Sequence, residues 1–208
     1  MKSQKLVFAV AVALASLSAM AQTVVGGAQM YAEKNIVDNA MNSRDHTTLV
    51  TAVKAAGLVP TLQSAGPFTV FAPTNDAFAQ LPAGTVDTLL KPENKAMLAE
   101  VLTYHVVPGR IDAAQLQQRI TEGNGKAWLK TVEGENLTVT SSGGMIMLTD
   151  AKGGMSHITI ADVAQSNGVI HVVDHVSLPA GKSMDGKKRM SKSDFNDVLA
   201  IEARNSGA

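Results

Sequence analysis

The sequence predicts an α+β fold, and three observations carry the prediction. Apolar residues recur at helical spacing, with caps and stop signals, through roughly the first 120 residues. From Ala127 the pattern changes to a period of two, with turn-forming segments EGEN, SSGG and AKGG between the runs. The last two runs, ITIADVAQ and VIHVVDHV, are divided by Asn167-Gly168, a pair suited to a two-residue type I′ hairpin in which both central residues take positive φ. Helices first and an antiparallel meander last define the class.

Taken in order, the elements read as follows. Lys2 and Lys5, the apolar run Leu6 to Leu17 and the small-x-small triplet Ala19-Met20-Ala21 form a secretory signal, with cleavage expected between Ala21 and Gln22. As a helix that run would span about 18 Å, short of the roughly 30 Å hydrocarbon core, so it is not read as a membrane anchor. Residues 22–30 are small and glycine-containing and read as a flexible lead, with structure expected from Tyr31. Asp45 is a candidate cap for a helix carrying Leu49, Val50, Val53 and Ala56 on one stripe and stopped by Gly57. FTVFA, Phe68 to Ala72, is a buried strand closed by Pro73. In the turn that follows, Thr74-Asn75-Asp76, a short polar side chain can cap a helix that turns Phe78 and Leu81 inward. Helical signals at Val86–Leu90 and Lys95–Leu102 are separated by Pro92, and Tyr104 to Val107 reads as a strand ended by Pro108-Gly109. Asp112 caps a helix over DAAQLQQ. Leu137 and Val139, Ile146 and Leu148, and Ile158 and Ile160 then mark the meander strands. Residues 180–208 form a basic linker and tail, with Lys182, Lys187, Lys188, Arg189 and Lys192, and a short helix from Asp194.

Composition narrows the function. Removal of a 21-residue signal from 208 residues leaves a chain of single-domain size. Basic and acidic side chains balance at 18 each and are scattered, so no basic face for nucleic acid is expected. There is no cysteine, which removes disulfides, thiolate nucleophiles and thiolate metal sites; stability must come from packing.

Two stretches, FTVFAPTNDAFAQLP and NGVIHVVDHVSLP, with Tyr104-His105 between them in LTYHVVPG, resemble the signature boxes of the fasciclin family in order and spacing. The resemblance covers Tyr31 to Pro179 and implies a wedge-like β-sandwich with several helices packed on one side. Its structural motif residues here are Phe68, Phe71, Thr74, Asp76, Phe78, Asn167, Gly168, Ile170, His171, Val173 and Asp174. The apolar members of both boxes are too many to be exposed together, so they are expected as neighbours in one core. The resemblance also implies a binding contact at the Tyr-His region, here Tyr104, His105, Val106 and Pro108.

Chemistry-bearing residues are weighed against their structural readings. His171 and His175 sit four apart, which on a strand separates them by roughly 13 Å, too far to share one metal ion. His105 has no serine or carboxylate beside it in a catalytic motif and is read as a hydrogen-bonded structural histidine. Asp76 is read as a helix cap and Asp174 as a strand-end acceptor rather than as a glycosidase pair. Met145 and Met147 share one strand face opposite Ile146, which suits packing or solvent better than copper.

The resulting expectation is a non-enzymatic binding or adhesion module, exported to the periplasm or extracellular space, that engages an envelope or matrix protein or polysaccharide. No cofactor or metal is expected. A basic tail could add peripheral membrane contact. Two other readings stand beside it: a carrier of a small apolar ligand such as a lipid or pigment, and a hydrolase acting through His105 or the aspartates.

Overall fold

A computed structural model describes residues 23–181. The signal sequence and the basic tail from Lys182 therefore lie outside the described residues. The chain forms β1 (Val24–Val25), β2 (Ala28–Gln29), α1 (Ile36–Ala40), α2 (Thr47–Ala56), α3 (Val59–Leu62), β3 (Phe68–Pro73), α4 (Asn75–Ala79), α5 (Thr85–Leu89) and α6 (Lys95–Tyr104). Then follow β4 (Val106–Pro108), α7 (Ala113–Glu122), β5 (Lys126–Lys130), β6 (Asn136–Ser142), β7 (Met145–Thr149), β8 (Met155–Gln165) and β9 (Gly168–Val173).

The α+β class is the one the sequence predicts. Seven strands form one mixed sheet in the order β4-β3-β9-β8-β7-β6-β5. Every neighbouring pair is antiparallel except β3 and β9, which run parallel. The sheet curls until its ends meet: the Val132 amide, just beyond β5, donates to the Val106 carbonyl of β4 at 2.8 Å. A nearly closed sheet leaves little free edge.

The two signature stretches supply the strands β3 and β9, side by side from Phe68↔Gly168 to Pro73↔Val173. Every residue of both is buried. The pairing explains the composition, because a strand covered on both faces reads as a continuous apolar run. It also corrects the expectation of one shared core. Phe68, Val70, Ala72, Phe78, Ile170 and Val172 belong to a cluster with the helices α1, α2 and α6. Phe71 and Val173 point the other way, into a second cluster with Leu129, Leu137, Val139, Leu148 and the α7 residues Leu116 and Ile120. The β3–β9 pair is thus the wall between two cores, each strand feeding alternate side chains to either side.

Several boundaries differ from the sequence expectations for physical reasons. Residues 22–30 do not form an unstructured lead where described: β1 and β2 make a hairpin, the Met30 amide donates to Thr23 O at 2.9 Å, and Val25 and Met30 enter the first cluster. Asp45 lies within a 3-10 turn, Arg44–His46, and does not cap α2; Gly57 ends that helix as expected, with φ of 74°. Tyr104 closes α6 instead of opening a strand, and β4 starts two residues later. Asp112 does cap α7, in a reciprocal box with Gln115. In β8 the register shifts on both sides of Ile160, so that Ile158 packs on the second cluster and Ile160 on the first.

Candidate functional site

The β8–β9 turn is tied to the helices through one side chain. Asn167 Oδ1 accepts from the Ile36 amide at 3.0 Å, and its Nδ2 donates to the Leu62 and Ser64 carbonyls, each at 2.8 Å. One side chain thereby ties the start of α1 and the end of α3 to the sheet. The turn is not type I′: Gln165 pairs with Gly168, and neither Asn167 nor Gly168 has positive φ. The glycine answers to crowding instead. A Cβ on Gly168 would lie 2.2 Å from the Phe68 carbonyl oxygen and 3.0 Å from Ile36 Cδ1.

The four residues expected to contact a partner, Tyr104, His105, Val106 and Pro108, are all buried, so none offers its side chain to a partner arriving from solvent. Tyr104 Oη donates to the Asn136 carbonyl at 3.1 Å and accepts from the Ala151 amide at 3.0 Å. Burial raises its pKa to about 12, against that amide's opposing pull and with help from the carboxylates of Asp150, Glu135 and Glu133. His105 Nδ1 donates to Val101 O at 2.8 Å, and Nε2 accepts from the Ser177 amide at 3.0 Å. Both nitrogens are used, and burial holds the ring below the usual histidine pKa, with the Val101 carbonyl and Asp150 opposing.

His171 is equally committed. It stacks on Phe71 at 5.6 Å, donates through Nε2 to Ile111 O at 2.9 Å, and accepts at Nδ1 from the Asp162 amide at 3.3 Å. His175 lies beyond β9 and meets Asp174. Asp174 holds the end of the β8–β9 pair together: Oδ1 accepts from the His157 amide at 2.7 Å and from His175 Nδ1 at 2.9 Å, while Oδ2 accepts from His157 Nδ1 at 2.9 Å. Burial would raise the Asp174 pKa, but these hydrogen bonds and the charge of His175 outweigh it and leave the carboxyl below its usual value. Asp76 is exposed in the first turn of α4, and the cap is Thr74, which accepts from the Ala77 amide at 3.2 Å. Among the described residues no three His, Cys, Asp or Glu side chains are placed to hold one metal ion.

The residues that do face solvent were not singled out as a site by sequence reasoning. On the outer side of the curled sheet, Trp128, Thr138, Thr149 and Met155 are successive register partners across β5, β6, β7 and β8. Lys126, Thr140, Met147 and His157 form the adjoining row. Trp128 is 57% exposed and Met155 59%, and Met145 beside them is 58% exposed. The intervening Ala127, Leu129, Leu137, Val139, Ile146 and Leu148 are the inward-facing half of the same strands. The signal was available in the alternation itself, which places Trp128 out of phase with Leu129 and Leu137.

A profile of the fasciclin domain matches residues 44–179. The chain belongs to the fasciclin family. Protein sll1483 of Synechocystis sp. is 49% identical over 156 residues, covering 75% of this chain and 79% of its own. Immunogenic protein MPB70 of Mycobacterium bovis is 35% identical, covering 67% of this chain and 66% of its own. Among solved structures, a FAS1 domain pair of the insect cell adhesion molecule fasciclin I superposes with a TM-score of 0.60 at 15% identity, which bears on fold alone; the match covers 78% of this chain and 52% of that one. The fasciclin signature stretches are thus the two-sided wall of the fold, and the family's Tyr-His pair is internal to it. No helix among the described residues is long and apolar enough to cross a membrane.

Proposed function

We propose that this fasciclin protein is a non-enzymatic binding module, exported past the cytoplasmic membrane, that engages a protein or glycan of the cell envelope or surrounding matrix. The observation that carries the reading is the outer face of β5 to β8. It presents an exposed indole and exposed methionines among threonine hydroxyls, a combination that can stack on a sugar ring or bury against a partner's apolar surface. Family membership supports it, and so does the use of His105, His171 and Asp174 as hydrogen-bonded parts of the frame. In this reading residues 1–21 are a leader removed before Gln22, and the segment from residue 180 is an accessory that adds contact with anionic surfaces.

The test is capture of envelope and matrix material by the purified protein, compared with Trp128→Ala and Thr138→Lys. Both changes lie on the solvent side, so the circular dichroism melt should stay within about 0.5 kcal/mol of wild type. Loss of the captured protein or glycan in both variants is the expected result. Capture that survives both removes the outer face as the contact. A parallel sample ending at residue 181 assigns any residual binding to anionic vesicles to the tail.

A further inference from the structure

On the outer side of the sheet, β7 and β8 place Met147 directly opposite His157 in register. Met145 lies two residues before Met147, and Met155 two residues before His157, so all four side chains share that face. Register partners have Cβ atoms about 4.5–5.5 Å apart, and diagonal neighbours, here Met145 to His157 and Met147 to Met155, about 7–8 Å, still within reach of long side chains. Met145 and Met155 are exposed, Met147 and His157 partly so. His157 is clamped in place: Nδ1 donates to Asp174 Oδ2 at 2.9 Å, the amide donates to Asp174 Oδ1 at 2.7 Å, and the carbonyl accepts from the Asp174 amide at 3.3 Å. A carboxylate only accepts, so the proton of the neutral ring sits on Nδ1 and the lone pair on Nε2. That Nε2 has no hydrogen-bond partner among the described residues.

We infer that Met147 and His157 are the centre of a binding site for a soft monovalent metal ion of the copper(I) class, with a thioether from Met145 or Met155 completing a three-coordinate set. Thioether sulfur with imidazole nitrogen is a donor combination that suits such an ion. A histidine whose other nitrogen is tied to a carboxylate is oriented as metal-binding histidines are. These donors are neutral, which favours a monovalent ion over a hard divalent one, whose lost hydration calls for anionic oxygen ligands. Ligand atoms around one ion lie roughly 3.5–4 Å apart. Sδ stands two bonds beyond Cβ and Nε2 three, and the unbranched methionine chain has the rotamer freedom to close the remaining gap. Met145 and Met147 by themselves suit packing or solvent; the register adds the imidazole that turns the patch into a ligand set. The site lies two strands from Trp128 on β5, so it does not rest on the partner contact proposed above.

The experiment is a calorimetric and NMR titration of the purified protein with silver(I) nitrate, a redox-inert stand-in for copper(I), in chloride-free buffer. A single equivalent should bind, moving the ε-methyl signal of Met147 and the ring nitrogen signals of His157 together. Met147→Leu and His157→Gln should each weaken binding by at least the roughly tenfold that loss of a supporting contact costs a metal site. The double change Met145→Leu with Met155→Leu should do the same. Met147→Leu conserves volume on the solvent side and should melt within about 2 °C of wild type, so it decides the matter even if His157→Gln does not fold. Met97→Leu, exposed on α6, and Trp128→Ala should bind as wild type does. Zinc(II), which thioethers serve poorly, should fail to compete. Silver spread evenly over the exposed methionines with Met97 included, a Met147→Leu protein that binds as wild type, or displacement of silver(I) by zinc(II) would each overturn the proposal.

Discussion

Asn167 offers the sharpest test of how this fold is held. Its carboxamide makes three hydrogen bonds, one accepted from the Ile36 amide and two donated to the Leu62 and Ser64 carbonyls. Asn167→Ala removes all three and strands groups that are largely shielded from water. At about 0.5–1.5 kcal/mol net per bond, with a further penalty for buried groups left unpaired, the loss should be about 3–5 kcal/mol. That is a large part of the roughly 5–15 kcal/mol that stabilises a domain. Asn167→Asp should be worse still at neutral pH, although it is nearly isosteric. The carboxylate keeps the bond from Ile36 but sets its second oxygen against two carbonyl oxygens. The two variants also differ in pH response. The introduced carboxyl is held in the fold next to acceptors, so its pKa there lies above its unfolded value, and the folded state binds the extra proton. The deficit of Asn167→Asp relative to wild type should therefore shrink as pH falls through that raised pKa, while the deficit of Asn167→Ala stays flat. Urea unfolding followed by far-ultraviolet circular dichroism is the suitable assay, since Trp128 is on the surface and its fluorescence reports poorly on the core. A loss below about 1 kcal/mol for Asn167→Ala, or an Asn167→Asp protein equal to it at pH 7, would refute the interlock.

Gly168→Ala, whose Cβ would sit 2.2 Å from the Phe68 oxygen, should force β3 away from β9 at about 3 kcal/mol or more. A thermal melt within about 2 °C of wild type would show that the close approach is not enforced. Acid should unfold the protein from the histidine range downward. His46, His105 and His171 all titrate below the usual 6.5 because burial disfavours the charged ring. Below that value the unfolded chain takes up protons that the fold refuses, so stability is present above it and falls as pH drops, by up to about 1.4 kcal/mol per pH unit for each histidine. A stability profile flat from pH 7 to about pH 5, measured by urea midpoints, would contradict their placement. Phe71→Ala and Ile170→Ala should each cost about 2–5 kcal/mol, one from either core, and a near-zero loss at either would mean that its cluster is not packed as described.

What could be read in the sequence divides along a physical line. Helices with local stop or cap chemistry were visible, because Gly57, Thr74 and Asp112 act within four residues of the turns they govern. The meander strands were visible because one face is wet, and alternation then survives in the sequence. The hairpin β1–β2 was missed since its strands are two residues long and carry no period. The role of Asn167 was misassigned for the opposite reason: its bonds reach residues 131 and 105 positions away, and a dipeptide rule sees only the turn. The β3–β9 pairing follows from two apolar boxes that need cover, yet nothing local says that their alternate residues serve different cores.

That division bears on how function should be sought in this fold. The strands within the stretches by which the chain resembles its family are buried on both faces, and Asn167, His171 and Asp174 are engaged in holding strands and helices to one another. Substitutions there are constrained by packing before any partner is involved, so the shared boxes transmit a scaffold and say little about what it holds. Partner choice must then reside in groups that the scaffold leaves unused. The outward row through Trp128, Thr138, Thr149 and Met155 meets that condition. Changing that row should alter binding with little effect on unfolding, whereas changing the boxes should alter both together. The ratio of those two losses, residue by residue, separates the part of the molecule that is frame from the part that recognises.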